Sequence, residues 1–480
     1  AGEEGHARES GDAHVALLGL RDHVAHVELV ADVRDPGAAV LLVGLLVLRQ
    51  PREPAVDRVV DPGSNNMTLE SNPFRRITKI TFADGNAMDF EYDVGRNLVS
   101  VSPPGASQWT FAYDASGRQT SVTAPDAGDQ SSTTTFGYDR AGNLSSIGRA
   151  DGRSVVLGYN TGGQLVRATT DRGNVDYTYD PTSGRIASVT SPGGEGLSFS
   201  WDGPLPIGEA WTGTVAGAIS RELDGNGWPR RFEVAVNGAT AAADLDYDDD
   251  GNLVQAGALT LGYDADNGMP LGTTIGAMTT ASTYNAFASL EYEAALYSAA
   301  PLLERTYSFN TLGHIGGVTE TVDGSTTRVH AYSFDVRRRV VSVTVDGVET
   351  EAYTYDANGN RLTTLGGVNA TYDAQDRILT QGTASFTHNE DGERTQRVDG
   401  SDVTDYVFDS TGALTEVGLP DGRVITYVLD GKNRRIAKRI DGVMAFGLLW
   451  DGELRPVAQL DASGELDAHF VYGNRRNVPD

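Results

Sequence analysis

Tyr353-Thr354-Tyr355-Asp356-Ala357-Asn358-Gly359-Asn360-Arg361-Leu362 reads as the end of one strand, a tight turn and the start of the next. Tyr353 and Tyr355 are two apart, so they share one face of a pleated strand. Asp356 suits the first position of a turn, because its carboxylate accepts hydrogen bonds from amides further along. Gly359 supplies the positive φ that other residues resist. The stretch decides the fold because it recurs. Copies stand at Tyr92-Asp93, Tyr113-Asp114, Tyr138-Asp139, Tyr179-Asp180, Tyr247-Asp248, Tyr372-Asp373 and Phe408-Asp409. Altered copies stand at Tyr159-Asn160, Trp201-Asp202, Tyr284-Asn285, Phe309-Asn310, Phe334-Asp335, Leu429-Asp430 and Trp450-Asp451. Tyr92 to Tyr113 is 21 residues and Tyr159 to Tyr179 is 20, room for two short strands and two turns. The chain is therefore expected to be an all-β repeat protein.

Two architectures fit a unit of that size. A β-propeller builds a blade from about 40 residues, but here the motif marks every unit, and its spacing wanders from 16 (Tyr247 to Tyr263) to 25 (Tyr113 to Tyr138). A long antiparallel strip of hairpins, wound as a spiral, accommodates that variation. Glycine at 57 of 480 residues, above the usual ~7%, fits a turn every ten residues or so. Two sections are expected to depart from the rhythm: Ser191 to about Arg231 as an irregular pair of hairpins, and Ala286–Ala300 as a short helical or irregular insertion.

Residues 1–64 differ in kind. They lack Phe, Tyr, Trp, Lys and Thr, yet hold four of the eight histidines. They are expected to be a disordered segment or one that is not native coding sequence, with residues 65–480 forming the repeat domain. The apolar run Ala38 to Leu48 is too short to span a bilayer, which takes about 20 residues. No membrane-spanning segment is expected.

Composition excludes several functions. With no cysteine there is no disulfide framework, thiolate metal site or cysteine nucleophile. A formal charge of −28 argues against nucleic acid and anionic membranes as partners. There is no phosphate loop, nucleophile elbow or His-Glu-x-x-His pair. His23, His26 and Glu28 form only a loose ligand pattern. Asp246-x-Asp248-x-Asp250-Gly251 matches the first half of a calcium loop, but its twelfth position is Gly257, and Asp248 belongs to the repeat turn. Paired carboxylates occur everywhere, in no distinguished setting. No catalytic, cofactor-binding or metal-binding residue is expected, and the chain is not expected to be an enzyme.

The Tyr-Asp-x-x-Gly-Arg/Asn-Leu copies resemble the YD repeats of bacterial Rhs proteins, of the C components of insecticidal toxin complexes, and of the teneurin shell. Tyr355–Leu362, Tyr372–Arg377, Leu419–Ile425, Asp430–Ile436 and Val471–Gly473 are the segments most similar to the late shell of Rhs proteins. The resemblance runs from about Phe74 to Asp480. It implies a hollow shell spiralled from a strip of strands, holding or displaying a C-terminal toxin or effector domain, in a secreted or cell-surface bacterial protein. The family's Asp-Pro-x-Gly-Leu self-cleavage motif does not occur, so neither autoproteolysis nor toxin activity carries over. The shell is expected to be incomplete at its C-terminus, leaving a strand edge near Tyr472 that favours self-association. The alternative reading is a carbohydrate-binding surface for cell-surface glycans, since tyrosine faces and arginines suit sugars.

Overall fold

A computed structural model describes residues 58–60, 65–128, 132–473 and 478–479. Among them are 41 strands and no helix. Within each sheet every strand pairs antiparallel with its neighbours in sequence, from Arg58–Val60 against Asn66–Ser71 to Arg455–Leu460 against Leu466–His469. Twenty-eight strands form one sheet and 11 another, with the hairpin Thr354–Tyr355/Arg361–Thr363 between them. This is the expected meander. The cluster His23, His26, Glu28 lies outside the described residues, as do residues 1–57.

One turn geometry explains the motif. In the loop after Tyr138, the Asp139 amide donates to the Asn143 carbonyl (2.9 Å) and the Gly142 amide donates to the Asp139 carbonyl (3.1 Å). Gly142 sits at φ +94°, so the loop is a tight turn closed by a left-handed residue. The Asp139 side chain holds it shut. Its Oδ1 accepts from the Asn143 amide (2.9 Å) and its Oδ2 from the Asn143 side chain (3.0 Å). Elsewhere arginine takes that fifth position, as Arg118 does on Asp114, at 2.8 Å. Those hydrogen bonds hold the turn aspartates Asp93, Asp114, Asp139 and Asp248 below the usual carboxylate range.

The aromatic residue before the aspartate has a separate task. In each hairpin the register slips by one residue immediately before it, at Gly137/Tyr138, Gly158/Tyr159 and Thr178/Tyr179. Tyr138 then lies opposite Leu144, and the Leu144 carbonyl receives the Tyr159 hydroxyl of the next hairpin at 2.8 Å. Tyr179 reaches Leu165 in the same way (2.8 Å), as does Tyr355 to Val340 (2.6 Å). Trp201 substitutes its indole N–H, donated to Ile186 at 2.8 Å. Between hairpins the backbone ladder covers only Ser154–Val156 against Ser146–Gly148, at the edge away from these turns. The strands therefore fan apart toward the Tyr-Asp edge, and the aromatic side chain fills the wedge. Arginines cover the rings: Arg118 lies 4.6 Å from the centre of Tyr138 and Arg339 4.5 Å from that of Tyr355. A fanned strip has one long edge and one short edge, and it curves.

Two expectations are corrected. Ala286–Ala300 is neither helical nor an insertion. Asn285–Ser289 is a repeat turn, Leu290–Tyr297 is a strand, and positive φ at Ser298 and Ala299 (49° and 65°) makes the next turn. The alanines that favour helix are held in ladders on both sides, which outweighs propensity. Ser191–Arg231 is not irregular either. It contains Gly196–Asp202, Leu205–Thr212, Gly217–Leu223 and Pro229–Val236, long and continuously paired strands that carry the deepest core.

If the tyrosine hydroxyl fastens hairpin to hairpin, Tyr179→Phe should lower stability by about 1 kcal/mol. Urea denaturation of the two proteins at equal m-value checks this, and an unchanged midpoint would refute the bridging role.

Candidate functional site: the seam between coils

The strip returns upon itself. Hydrogen bonds join residues 219 to 255 positions apart, from Trp211 with Asp430 to Arg153 with Phe408. The contacts follow a rule. Plain turns of the first coil, which lack the Tyr-Asp motif, meet Tyr-Asp turns of the second. Arg337 pairs with Asp84 (3.1 Å) and covers the Phe82 ring (4.1 Å). The Gln375 side chain donates to the Pro125 carbonyl at 2.7 Å. Arg172 pairs with Asp409 (2.5 Å), and the Ser191 hydroxyl donates to the Leu429 carbonyl (3.1 Å). Burial follows. Turns such as Asp93–Arg96 and Asp180–Gly184 are exposed, whereas Asp409, Ser410 and Asp430 are buried.

At the centre of the polar half lies a cluster of five charges. The first coil contributes Arg149, Asp151 and Arg153, all from one plain turn. The second contributes Asp391 and Glu393. Arg149 bonds Asp391 (2.8 Å) and Glu393 (2.6 Å), Arg153 bonds Glu393 (2.6 Å) and Asp151, and the Ala150 amide donates to Asp391 (2.9 Å). Asn389 donates to Glu393 at 2.7 Å. Glu393 is 0% exposed. Burial pushes the Glu393 and Asp391 carboxyls up, against the pull of the two guanidiniums, and Asp151 facing Asp391 adds to the rise there. Burial also raises Asp151, but hydrogen bonds from the Arg153 amide and from neighbouring side chains leave it below its usual value.

Asp151, Asp391 and Glu393 are also the one group of acids, among the described residues, spaced as metal ligands. Two guanidiniums already satisfy these oxygens, so the chemistry supported here is ionic closure. The calcium-like stretch is dispersed: Asp248 caps its own turn through the Asp250 and Asn252 amides (3.0 and 2.8 Å), while Asp246 sits on the strand before it. Sequence reading missed the cluster because Arg149 and Glu393 are 244 residues apart.

Beyond the ions the seam becomes apolar. Trp211, Val215, Ile219, Val234 and Val236 of the first coil pack with Ile436, Leu449, Val457 and Leu460 of the second. Trp211 donates its indole N–H to Asp430 (3.2 Å), and Arg434 lies 5.3 Å from the centre of its ring. The approach is close at Gly431, where an added Cβ would lie 2.3 Å from the Val189 side chain.

Removing one partner of a buried ion pair typically costs about 3–5 kcal/mol, so Arg153→Met should open the polar half of the seam. Gly431→Ala should wedge the apolar half at a cost of roughly 1–3 kcal/mol. Protease sensitivity at the seam and urea denaturation read both effects, and wild-type stability in either variant would refute the corresponding contact.

The cluster also sets a pH dependence. Raised folded values for Asp391 and Glu393 mean that these two groups bind protons more tightly in the closed seam than in the open chain, while Asp151, held below its usual value, acts in the opposite sense. The contribution of Asp391 and Glu393 is fully present below the ordinary carboxylate range and lost as pH rises through the folded values. The capped turn aspartates have lowered values and behave oppositely, losing stability as pH falls. Hydrogen exchange of the Ala150 amide, corrected for the intrinsic rate, should show protection falling as pH rises through that range. A pH-independent protection would contradict the assignment.

Comparison with known proteins agrees with this architecture. A family model described as the teneurin YD-shell matches residues 63–462. Mouse teneurin-4 is 26% identical over 424 residues, covering 79% of this chain and 15% of the relative. The tRNA3(Ser)-specific nuclease WapA of Bacillus spizizenii is 26% identical over 175 residues, covering 35% of this chain and 7% of that protein. The crystal structure of TcdB2-TccC3-TEV superposes with a TM-score of 0.62 at 12% identity, covering 85% of this chain and 26% of that one, a likeness of fold. The chain thus spans about 15% of the length of the teneurins it matches. The family model covers most of the chain that carries the repeated Tyr-Asp turn and the aromatic bridges, and the chain belongs to the teneurin YD-shell family.

Proposed function

We propose that the chain is a section of the wall of a hollow shell that encloses or displays a polypeptide joined to its C-terminal side, in a secreted or cell-surface bacterial protein. The observation that carries this reading is the seam. A strip that served only to present a surface has no need to seal coil to coil with buried ion pairs and an apolar core. The role is structural rather than catalytic: the best-buried charges pair with each other across the seam. The similarity to TcdB2-TccC3 and to WapA supports a container in a toxin-like protein, and the similarity to teneurins supports an extracellular setting. Net charge −28 speaks against nucleic acid as the partner of the wall itself.

The test uses the natural protein with whatever its reading frame encodes beyond Asp480. In the wild type, that downstream polypeptide should resist protease while Gly431→Ala exposes it. Equal cleavage in both proteins, or a stop codon directly after Asp480, would overturn the container reading.

A further inference from the structure

The last strand of the second coil is docked through an imidazole. Leu466–His469 pairs on one side with Arg455–Leu460 and lies against the first coil. The turn before it receives the Asn237 side chain at the Gly464 carbonyl (3.1 Å) and at Glu465 (3.3 Å). His469 stands opposite Ala458, which is fully buried. Its ring lies nearly parallel to that of Phe232 on Pro229–Val236, with centres 6.3 Å apart. Phe232 and Leu466 both pack on the apolar core of the seam, so the imidazole occupies a place that a hydrophobic side chain would fill.

One nitrogen of that ring is stranded. His469 Nε2 is buried with no hydrogen-bond partner among the described residues. A neutral ring leaves it as a bare acceptor, whereas an imidazolium carries N–H donors at both nitrogens. Burying a charged donor without an acceptor is strongly unfavourable. The charges around it are engaged elsewhere. Across Phe232, Arg221 lies 5.6 Å from the ring centre and pairs with Asp451, which also holds Arg455 (2.9 Å), so that group is net positive. On and beside Pro229–Val236, Arg230 pairs with Glu222 (2.8 Å), and Arg231 with Asp244 (2.7 Å) and Glu233 (3.4 Å). On the histidine's own strand, Asp467 accepts from Gln459 (2.8 Å). Burial therefore pulls the His469 value below that of an ordinary histidine, with no carboxylate to oppose it.

We propose that His469 makes the last strand an acid-released latch: Leu466–His469 stays docked while the imidazole is neutral and leaves the first coil when the ring takes up a proton. A folded value below the unfolded one gives a contribution fully present above about pH 6.5, and lost as pH falls from there through the folded value. Asp391 and Glu393, in the polar half of the seam, act in the opposite sense, so the release is read at the last strand and not from global stability. Detachment of the strand stands by itself. That it would free a polypeptide joined beyond it rests on the container reading.

The full chain with isotope-labelled histidine would be titrated from about pH 8 to about pH 5, the span in which histidine changes charge. The His469 ring resonance, assigned by its loss in His469→Phe, reports the folded value. Hydrogen exchange of residues 466–472, corrected for the intrinsic rate, reports opening. Wild-type protection is expected to fall on acidification, about tenfold for each unit separating the folded from the unfolded value. His469→Phe, which keeps a ring against Phe232, should abolish that fall, and His469→Leu decides the point should the phenylalanine variant not fold. A His469 value at or above that of an ordinary histidine, or the same acid-induced loss of protection in a folded variant, would overturn the latch. Release of the strand without protease access to the polypeptide beyond it would support the latch and count against the container reading.

Discussion

The bridge from a unit's tyrosine or tryptophan to the carbonyl opposite the previous aromatic governs the rest of the molecule. Tyr159 to Leu144, Tyr179 to Leu165 and Trp201 to Ile186 are one contact repeated. A plain ladder would let strands lie evenly spaced to both edges. The one-residue slip before the aromatic stops the ladder short, and a ring fills the opened angle. In these units the hydroxyl or indole N–H then satisfies a carbonyl that the ladder has abandoned. Curvature follows from that local exchange of a backbone bond for a side-chain bond.

Curvature in turn makes the two edges meet. The edges are chemically unlike: one carries capped aspartate loops, the other short turns of varied composition. Where the coils touch, the plain turns hold Arg149, Arg153 and Arg172, and the loops opposite hold Asp391, Glu393 and Asp409. The third residue of several docking loops reaches across the seam, as with Arg337, Gln375 and Asp391. The same loop position on the free edge of the first coil is Phe287, at 89% exposure. One motif thus serves as a solvent-facing turn in one coil and as a docking element in the next, distinguished by a single side chain. The seam needs the ionic and the apolar halves together, since burying three carboxylates with two guanidiniums is costly unless the neighbouring core fixes their geometry.

The sequence itself settles most of what lies within about twenty residues of each aspartate. Turn position, strand alternation and antiparallel pairing with the next strand follow from Asp356, Gly359 and their repeats, because each is decided by local backbone geometry and the bonds of one side chain. Its failures were also local in kind. At Ala286–Ala300 the stretched spacing suggested a short helical or irregular insertion, and at Ser191–Arg231 the looser rhythm suggested irregular hairpins, yet pairing with strands on either side imposed the same ladder on both. Only the tertiary structure decided which turns meet. Arg149 with Glu393, or Trp211 with Asp430, has no signature along the chain, since hundreds of residues of accumulated curvature bring them together.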